Sequence, residues 1–216
     1  MTNNTDCLNC GTKIKQGAFS SNEALTENQT RVVNEYSTDK KEGYCRKCGG
    51  TRFDASLKQL LDDIKQTNDA LQLIISDVPV ITTHTPLKWD YDILGMATGQ
   101  STTGTGVVSE FTSSFTDLLG LQSNRYNAKL KEGEKLCITQ IRTQAIEMGG
   151  NAIIATDIDY SELGGGKGMI MVCMSGTVVN LKNLEVIGEM GRKIHQIPEV
   201  YNKLKRLHSL NVFTQL

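Results

Sequence analysis

The stretch from Gln144 to Leu181 most constrains what this chain can fold into. It holds the end of a long amphipathic run, then Gly149-Gly150, an alternating segment from Asn151 to Tyr160, the glycine-rich turn Gly164-Gly165-Gly166-Lys167-Gly168, and an apolar segment from Met169 to Leu181. This order reads as helix, tight turn and β-hairpin. Alternate strand residues point to opposite sides of a sheet, so Ala152, Ile154, Thr156, Ile158 and Tyr160 share one face, which is expected to meet the helix. Asn151, Ile153, Ala155, Asp157 and Asp159 line the other face, half apolar and half acidic, while the second strand is apolar on both faces. One helix and one hairpin cannot bury two apolar faces, so a further layer of this chain or another subunit must cover the second.

The helix that feeds this turn spans Leu121 to Met148, with Tyr126, Leu130, Cys137, Ile141, Ala145 and Met148 on one stripe. Gly133 is expected to weaken its middle by about 1 kcal/mol, and Gly149-Gly150 is a C-terminal stop of the kind that precedes a reversal. Cys137 and Cys173 read as small buried hydrophobes.

A second module lies at the amino-terminal end. Cys7-Leu8-Asn9-Cys10-Gly11 and Cys45-Arg46-Lys47-Cys48-Gly49 are two C-x-x-C knuckles. Two-residue spacing lets both thiolates of a pair face one ion, and the following glycine permits a tight turn whose amides can bond the sulfurs. Cys7, Cys10, Cys45 and Cys48 therefore supply the four ligands of a tetrahedral structural zinc (Zn2+) site; a rubredoxin-like iron site or redox-active thiols are the alternatives. The pattern resembles a zinc ribbon, although the spacer between the knuckles is long for that class. Within it Ala18-Phe19 and Arg31 to Tyr36 read as strand material, and Ser20 to Gln29 as a polar excursion with at most a helical turn. So few large apolar side chains cannot supply a core, so metal binding is expected to contribute most of the folding free energy, on the order of 10 kcal/mol. A fully ligated site has no open position for substrate and would act by presenting a surface.

From Ser56 to Asp77, Leu57, Leu60, Leu61, Ile64, Leu71, Ile74 and Ile75 fall at helical spacing, which predicts a connecting helix. Ile81 to Phe111 reads as short strands and turns punctuated by Gly95, Gly99, Gly104 and Gly106. Neither glycine-rich stretch makes a nucleotide loop: Gly104-Thr105-Gly106 lacks the final glycine of a dinucleotide fingerprint, and around Gly166-Lys167 both the first glycine and the terminal hydroxyl of a Walker motif are missing. Beyond Leu181, one helix is expected up to Pro198 and a second over Val200, Leu204 and Leu207. Lys203, Lys205, Arg206 and His208 make this tail modestly basic; a solvated helix face is the ordinary reading, and a nucleic-acid or partner contact is the alternative.

The run Met148-Gly149-Gly150-Asn151-Ala152-Ile153-Ile154-Ala155-Thr156-Asp157-Ile158-Asp159-Tyr160, with the glycine-rich turn and the strand ending in Ser175-Gly176-Thr177-Val178-Val179, resembles the uncharacterised YbjQ-like family. Ile81-Thr82-Thr83, Ile93 to Gly99, Val107-Val108 and Asp117-Leu118-Leu119-Gly120 extend the resemblance upstream, and Gly150 and Val178 stand where the family usually has alanine. The resemblance covers roughly residues 80 to 181 and implies there a two-layer α/β sandwich with an antiparallel sheet (YbjQ-like, dodecin-like); with the small zinc-ribbon domain read from the cysteines and the C-terminal helical tail read from spacing, the chain is expected to be α+β. On this basis the domains are residues 1–53 (zinc ribbon), 54–79 (connecting helix), 80–182 (oligomerisation domain) and 183–216 (tail). The resemblance also implies ring-shaped homo-oligomers, pentamers, and carries a heavy-metal-binding label tied to no particular residue.

Composition narrows the function classes. Hydrophobic residues make up 38% and charged residues 22%, which suits a soluble domain, and Lys plus Arg number 23 against 24 for Asp plus Glu. There is no global basic footprint for nucleic acid or for an anionic membrane, so nucleic acid is a possible partner that net charge does not indicate. No leader and no membrane-length apolar run stands in the sequence, so a cytoplasmic location is expected, with no membrane partner. The Asn3 and Asn28 glycosylation triplets then carry no meaning. Asp157 and Asp159 on one strand face, with His84 in a hydroxyl-rich stretch, form a speculative second site; the ordinary readings are a solvated strand end and a surface histidine. His195 and His208 suggest no shared site, and no nucleophile or base pattern designates catalytic residues. The expectation is a non-enzymatic, ring-forming homo-oligomeric scaffold that presents zinc ribbons to a protein partner. The alternatives are a metal- or small-molecule-binding protein with a site between subunits, and an enzyme of unknown class.

Overall fold

The computed structural model describes residues 6–14, 22–103, 121–163 and 169–210, the side chains of 121–126 excepted. The readings placed on Ala18-Phe19, the loops at Gly104-Gly106, Val107-Val108 and Asp117-Gly120, and the turn Gly164-Gly168 lie outside these residues. The chain divides into two compact units, Leu71–Glu199 and a unit made of Met1–Ala70 with Val200–Leu216.

The 71–199 unit is α+β. Strands β1 (Tyr91–Thr103), β2 (Ala152–Leu163) and β3 (Met169–Leu181) form an antiparallel sheet in the order β1-β3-β2. Helix α3 (Leu121–Glu147) covers one face, with Cys137, Ile141 and Ala145 fully buried as their spacing predicts. The Gly149 amide bonds the Ile146 carbonyl at 2.9 Å and the Gly150 amide bonds the Ala145 carbonyl at 2.7 Å. Gly149 has φ of 82°. This is a Schellman closure, which needs a left-handed residue, and it releases the chain directly into β2.

Gly99 sets the distance between helix and sheet. A Cβ there would stand 2.6 Å from the Cys137 carbonyl oxygen and 2.9 Å from its Cα, so backbone meets backbone. Gly133, expected only to weaken the helix, is a second contact point, because a Cβ on it would lie 2.8 Å from Val172 Cγ2. β1 is one long strand where short strands and turns were expected, with a register shift between Ile93 and Gly95. Its edge is closed by α3: Gln140 pairs through its amide with the Gln100 backbone (2.7 and 3.1 Å), and Gln144 does the same to Thr98 (3.1 and 2.7 Å). Amide side chains here take the place of a neighbouring strand and blunt an edge that would otherwise template pairing.

β2 departs from simple alternation. Its register with β3 shifts between Ile154 and Asp157, and Ala155 takes φ of 51°. A bulge moves every residue before it to the opposite face relative to those after it. Ile158 and Tyr160 face the helix as expected, the Tyr160 hydroxyl donating to Glu134 at 3.0 Å. Ala152 and Ile154 instead pack on the far side with Val179, Ile81, Trp89 and Tyr91. The bulge is held by residues 79–83, which run beside the start of β2. Ile153 donates to the Pro79 carbonyl (2.9 Å), Ile81 to Ile153 (2.9 Å), Thr156 to Ile81 (3.0 Å) and Ala155 to Thr83 (3.1 Å).

The other unit contains α1 (Glu27–Glu35), the first part of α2 (Arg46–Ile75) and most of α5 (Ile197–Ser209). Arg31 to Glu35, expected as strand, is helix, because Thr26 and Gln29 form a capping box with reciprocal bonds of 3.2 and 2.9 Å. α2 begins ten residues before the expected Ser56 and carries Cys48 in its first turn. Val32, Leu60, Leu207 and Leu210 form this unit's core, flanked by Tyr36, Phe53, Leu57 and Ile64. The Tyr36 hydroxyl donates to Asp63 at 2.9 Å, and Arg206 pairs with Glu35. The cysteine-bearing segment thus obtains a hydrophobic core from α2 and the tail, where little was expected. Beyond β3 the tail is a short 3-10 turn (Leu184–Ile187), α4 (Glu189–Ile194) and α5. Pro198 sits in the first turn of α5, where a missing amide hydrogen costs nothing, and so starts a helix instead of ending one.

Replacing Gly99 by alanine should lower the unfolding free energy by about 2–3 kcal/mol, read from the urea midpoint, because α3 must lift off β1. An unchanged midpoint would show that the helix is not held by that contact.

Candidate metal centre

The first knuckle is a tight turn. The Cys7 amide donates to the Thr12 carbonyl at 2.9 Å and the Gly11 amide to the Cys7 carbonyl at 2.8 Å, with Asp6 bridged to Lys13 across the base. Gly11 has φ of 67°, which requires glycine. The second knuckle is the start of α2, with the Cys48 and Gly49 amides both directed to the Cys45 carbonyl (3.2 and 2.8 Å). Gly49 is needed for space and not for φ, since a Cβ would lie 2.6 Å from Tyr44 Cβ and 2.9 Å from Leu25 Cδ1. Leu25 donates to the Tyr44 carbonyl at 2.8 Å and Arg46 to the Glu23 carbonyl at 2.7 Å, which fixes the second knuckle against the chain that leads into α1.

These two frames bring the four predicted thiols together. Sγ atoms of Cys7 and Cys48, of Cys10 and Cys45, and of Cys45 and Cys48 are each 3.7 Å apart, and all four lie within 4.8 Å of one another. With metal–sulfur bonds of about 2.3 Å, a tetrahedron has edges of about 3.8 Å. The donor set and its size fit one tetrahedral metal ion. All four cysteines are free thiols, so the arrangement is not two disulfides.

The electrostatics differ thiol by thiol. Hydrogen bonds from the side chain and backbone of Thr12 draw Cys10 down to about 6. Burial pushes Cys48 up to about 11, against the Asn9 amide, which lies 3.5 Å from its sulfur. Burial also opposes ionisation of Cys45, but the Cys48 backbone amide and the Asn22 side chain outweigh it and lower its pKa. Asn22 is a ligand-supporting residue that sequence reasoning missed: it is buried, bonds the Lys13 carbonyl at 3.1 Å and accepts from the Lys47 amide at 3.1 Å, tying the two knuckles together. No local pattern marks it. The capping box Thr26-x-x-Gln29 that places the spacer helix is, by contrast, a legible motif.

Asp157, Asp159 and His84 are not gathered into a comparable group: among the described residues the four cysteines are the one cluster of three or more potential ligands. Asp157 lies opposite Ser175, and Asp159 opposite Cys173, on the sheet face away from α3. Both aspartates are exposed, as is His84. Cys173, expected in the core, is half-buried on this same face, whereas Cys137 is buried and its thiol donates to the Val172 carbonyl at 3.3 Å. Ile93 (68% exposed) and Met96 (67%) make the β1 side of the face apolar. No helix among the described residues is long and apolar enough to cross a membrane.

Comparison with known proteins identifies one segment of the chain. The YbjQ family model, described as "Putative heavy-metal-binding", matches residues 78–182. The chain is 38% identical over 89 residues to a UPF0145 protein of Anoxybacillus flavithermus, covering 41% of this chain and 83% of the relative. It is 37% identical over 92 residues to one of Geobacillus kaustophilus, covering 43% and 86%. A crystal structure from Pediococcus pentosaceus of a protein of unknown function aligns with a TM-score of 0.34 and 17% identity, over 48% of this chain and 96% of that one. The matched segment contains none of Cys7, Cys10, Cys45 and Cys48. The four-cysteine cluster therefore lies outside the matched segment.

Replacing Cys45 or Cys48 by serine should abolish retention of metal through gel filtration in a mild chelator, with loss of helical signal from the start of α2 by circular dichroism. Gly49→Ala should weaken metal retention without removing a ligand. Full retention by Gly49→Ala would show that the Tyr44–Leu25 contact does not shape the site.

Proposed function

Because the chain belongs to the UPF0145 family, the YbjQ-like proteins, we propose that it is a non-enzymatic, ring-forming homo-oligomeric scaffold whose zinc-loaded four-cysteine modules are displayed to a protein partner. The observation that carries this reading is the spacing of the four thiols, which suits a closed tetrahedral site. Four sulfur ligands leave no position for substrate, so the metal stabilises a surface and does not activate a reactant. Sulfur-only donors suit both zinc and iron, and zinc is the metal proposed, in the reducing cytoplasm where free thiols persist.

The assembly part rests on the sheet. Ile93 and Met96 stand on a face with no helix over it, and the β1 edge is already occupied by Gln140 and Gln144, so face-to-face contact is favoured over strand addition. A ring of modules would raise avidity for a repetitive partner without new contacts. One observation favours a second reading. Asp157 and Asp159 lie on the same open face, where symmetry mates, with His84, could complete a metal site between subunits.

Native mass spectrometry reads subunit number and metal content together. A closed ring, a pentamer, with one zinc per chain is expected. A monomer, or iron in place of zinc, would overturn the scaffold as stated, and extra metal per chain would favour the intersubunit site. Ile93→Asp combined with Met96→Asp should give folded monomers that keep their zinc; persistence of the ring would place the interface elsewhere.

A further inference from the structure

A cavity of about 450 Å³ lies between the last turn of α2 and α3, within the 71–199 unit. Lys131, Lys135 and Arg142 line it from one face of α3, at spacings of four and seven residues, which bring side chains into line on a helix. Ile75 and Ile138 supply apolar walls. The volume is that of a small-molecule site, a mostly apolar cleft with a few convergent polar groups.

The charges in it are not balanced. Arg142 is half-buried and its Nε donates to the Val78 carbonyl at 2.9 Å, which anchors the guanidinium. Among the described residues its terminal nitrogens meet no acceptor and it forms no salt bridge. The carboxylate that acts on it electrostatically is Asp77, already paired with Lys193 at 3.2 Å. Glu134, also at the cavity, accepts from the Tyr160 hydroxyl. Lys131 and Lys135 are exposed and form no salt bridge among the described residues. A partly desolvated guanidinium without a counter-charge is costly, and its planar fork suits an oxyanion.

We propose that this cavity binds a phosphate-bearing small molecule: its phosphate is held by Arg142, Lys135 and Lys131, and its apolar part lies against Ile75 and Ile138. Arg142 provides the oriented contact, and the lysines provide charge that water screens more.

Isothermal titration calorimetry on the full metal-loaded chain, with phenyl phosphate and inorganic phosphate as probes, tests this. Saturable binding is expected, phenyl phosphate being tighter by roughly tenfold or more because its ring is buried. Arg142→Gln should weaken phenyl phosphate by about 10- to 100-fold. Lys135→Gln, at an exposed position whose side chain forms no salt bridge among the described residues, should weaken it by a smaller factor even where Arg142→Gln fails to fold. Lys58→Gln, outside the cavity, should leave it unchanged. Absence of saturable binding by either probe, equal affinity of the two probes, or equal losses in Lys58→Gln and Lys135→Gln would overturn the proposal. So would binding of an oligoglutamate peptide in place of the phosphates, which would assign the cavity to an acidic protein segment.

Discussion

The backbone of α3 rests on the sheet at Gly99, with no side chain between it and the Cys137 peptide. Most of the 71–199 unit depends on that approach. It brings Gln140 and Gln144 to the β1 backbone, where their amides pair as a strand would. It makes Gly133 a fitted contact against Val172. At the helix end the same closeness recurs, a Cβ on Gly150 lying 2.4 Å from Val178 Cγ1, so the reversal into β2 is packed as tightly as the helix itself. With one face covered by α3 and the β1 edge occupied, the apolar surface still exposed on the opposite face is the part at Ile93 and Met96, beside the cluster of Ile81, Trp89 and Tyr91 over Ala152 and Ile154.

The metal centre follows a different physical scheme. Its ligands come from a turn and from a helix start beyond a spacer of 34 residues (Gly11 to Tyr44), so the four sulfurs meet only because the segment between them folds back. That return is made by α1, its capping box, the Asn22 side chain and the close fit of Gly49 on Tyr44. The core beneath is completed by Leu207 and Leu210, from the far end of the chain. A metal bound by the four thiols would therefore share the support of this unit with hydrophobic burial, where a segment of fifty residues alone would rest on the metal almost entirely.

Much of this was legible beforehand because it is local. The two C-x-x-C-G motifs, the Cys137-Ile141-Ala145 part of the α3 stripe with its Gly149-Gly150 stop, and the alternation of Ile158 with Tyr160 each arise from spacing, and each stands in the structure where spacing puts it, whereas Met148, expected on the same stripe, lies past the helix end and is exposed. The failures share a cause. Arg31 to Glu35 contains β-branched residues that resemble a strand, but a capping box five residues upstream decides for helix. Ala152 and Ile154 lie on the wrong face because residues 79–83, seventy positions away, pair with β2 and stabilise the bulge at Ala155. The unbalanced Arg142 has no local signature at all.

By itself the sequence determined the ligand set, the sulfur-only chemistry that follows from it, the family, and the helix-hairpin order of the matched domain, because each depends on residue type at short spacing. Tertiary structure alone decided which face of β2 is buried, which glycines are contacts, that the tail helix belongs with the cysteine module, and where three cations of α3 converge. Those outcomes depend on distances between atoms remote in the chain, and neither periodicity nor propensity carries information at that range.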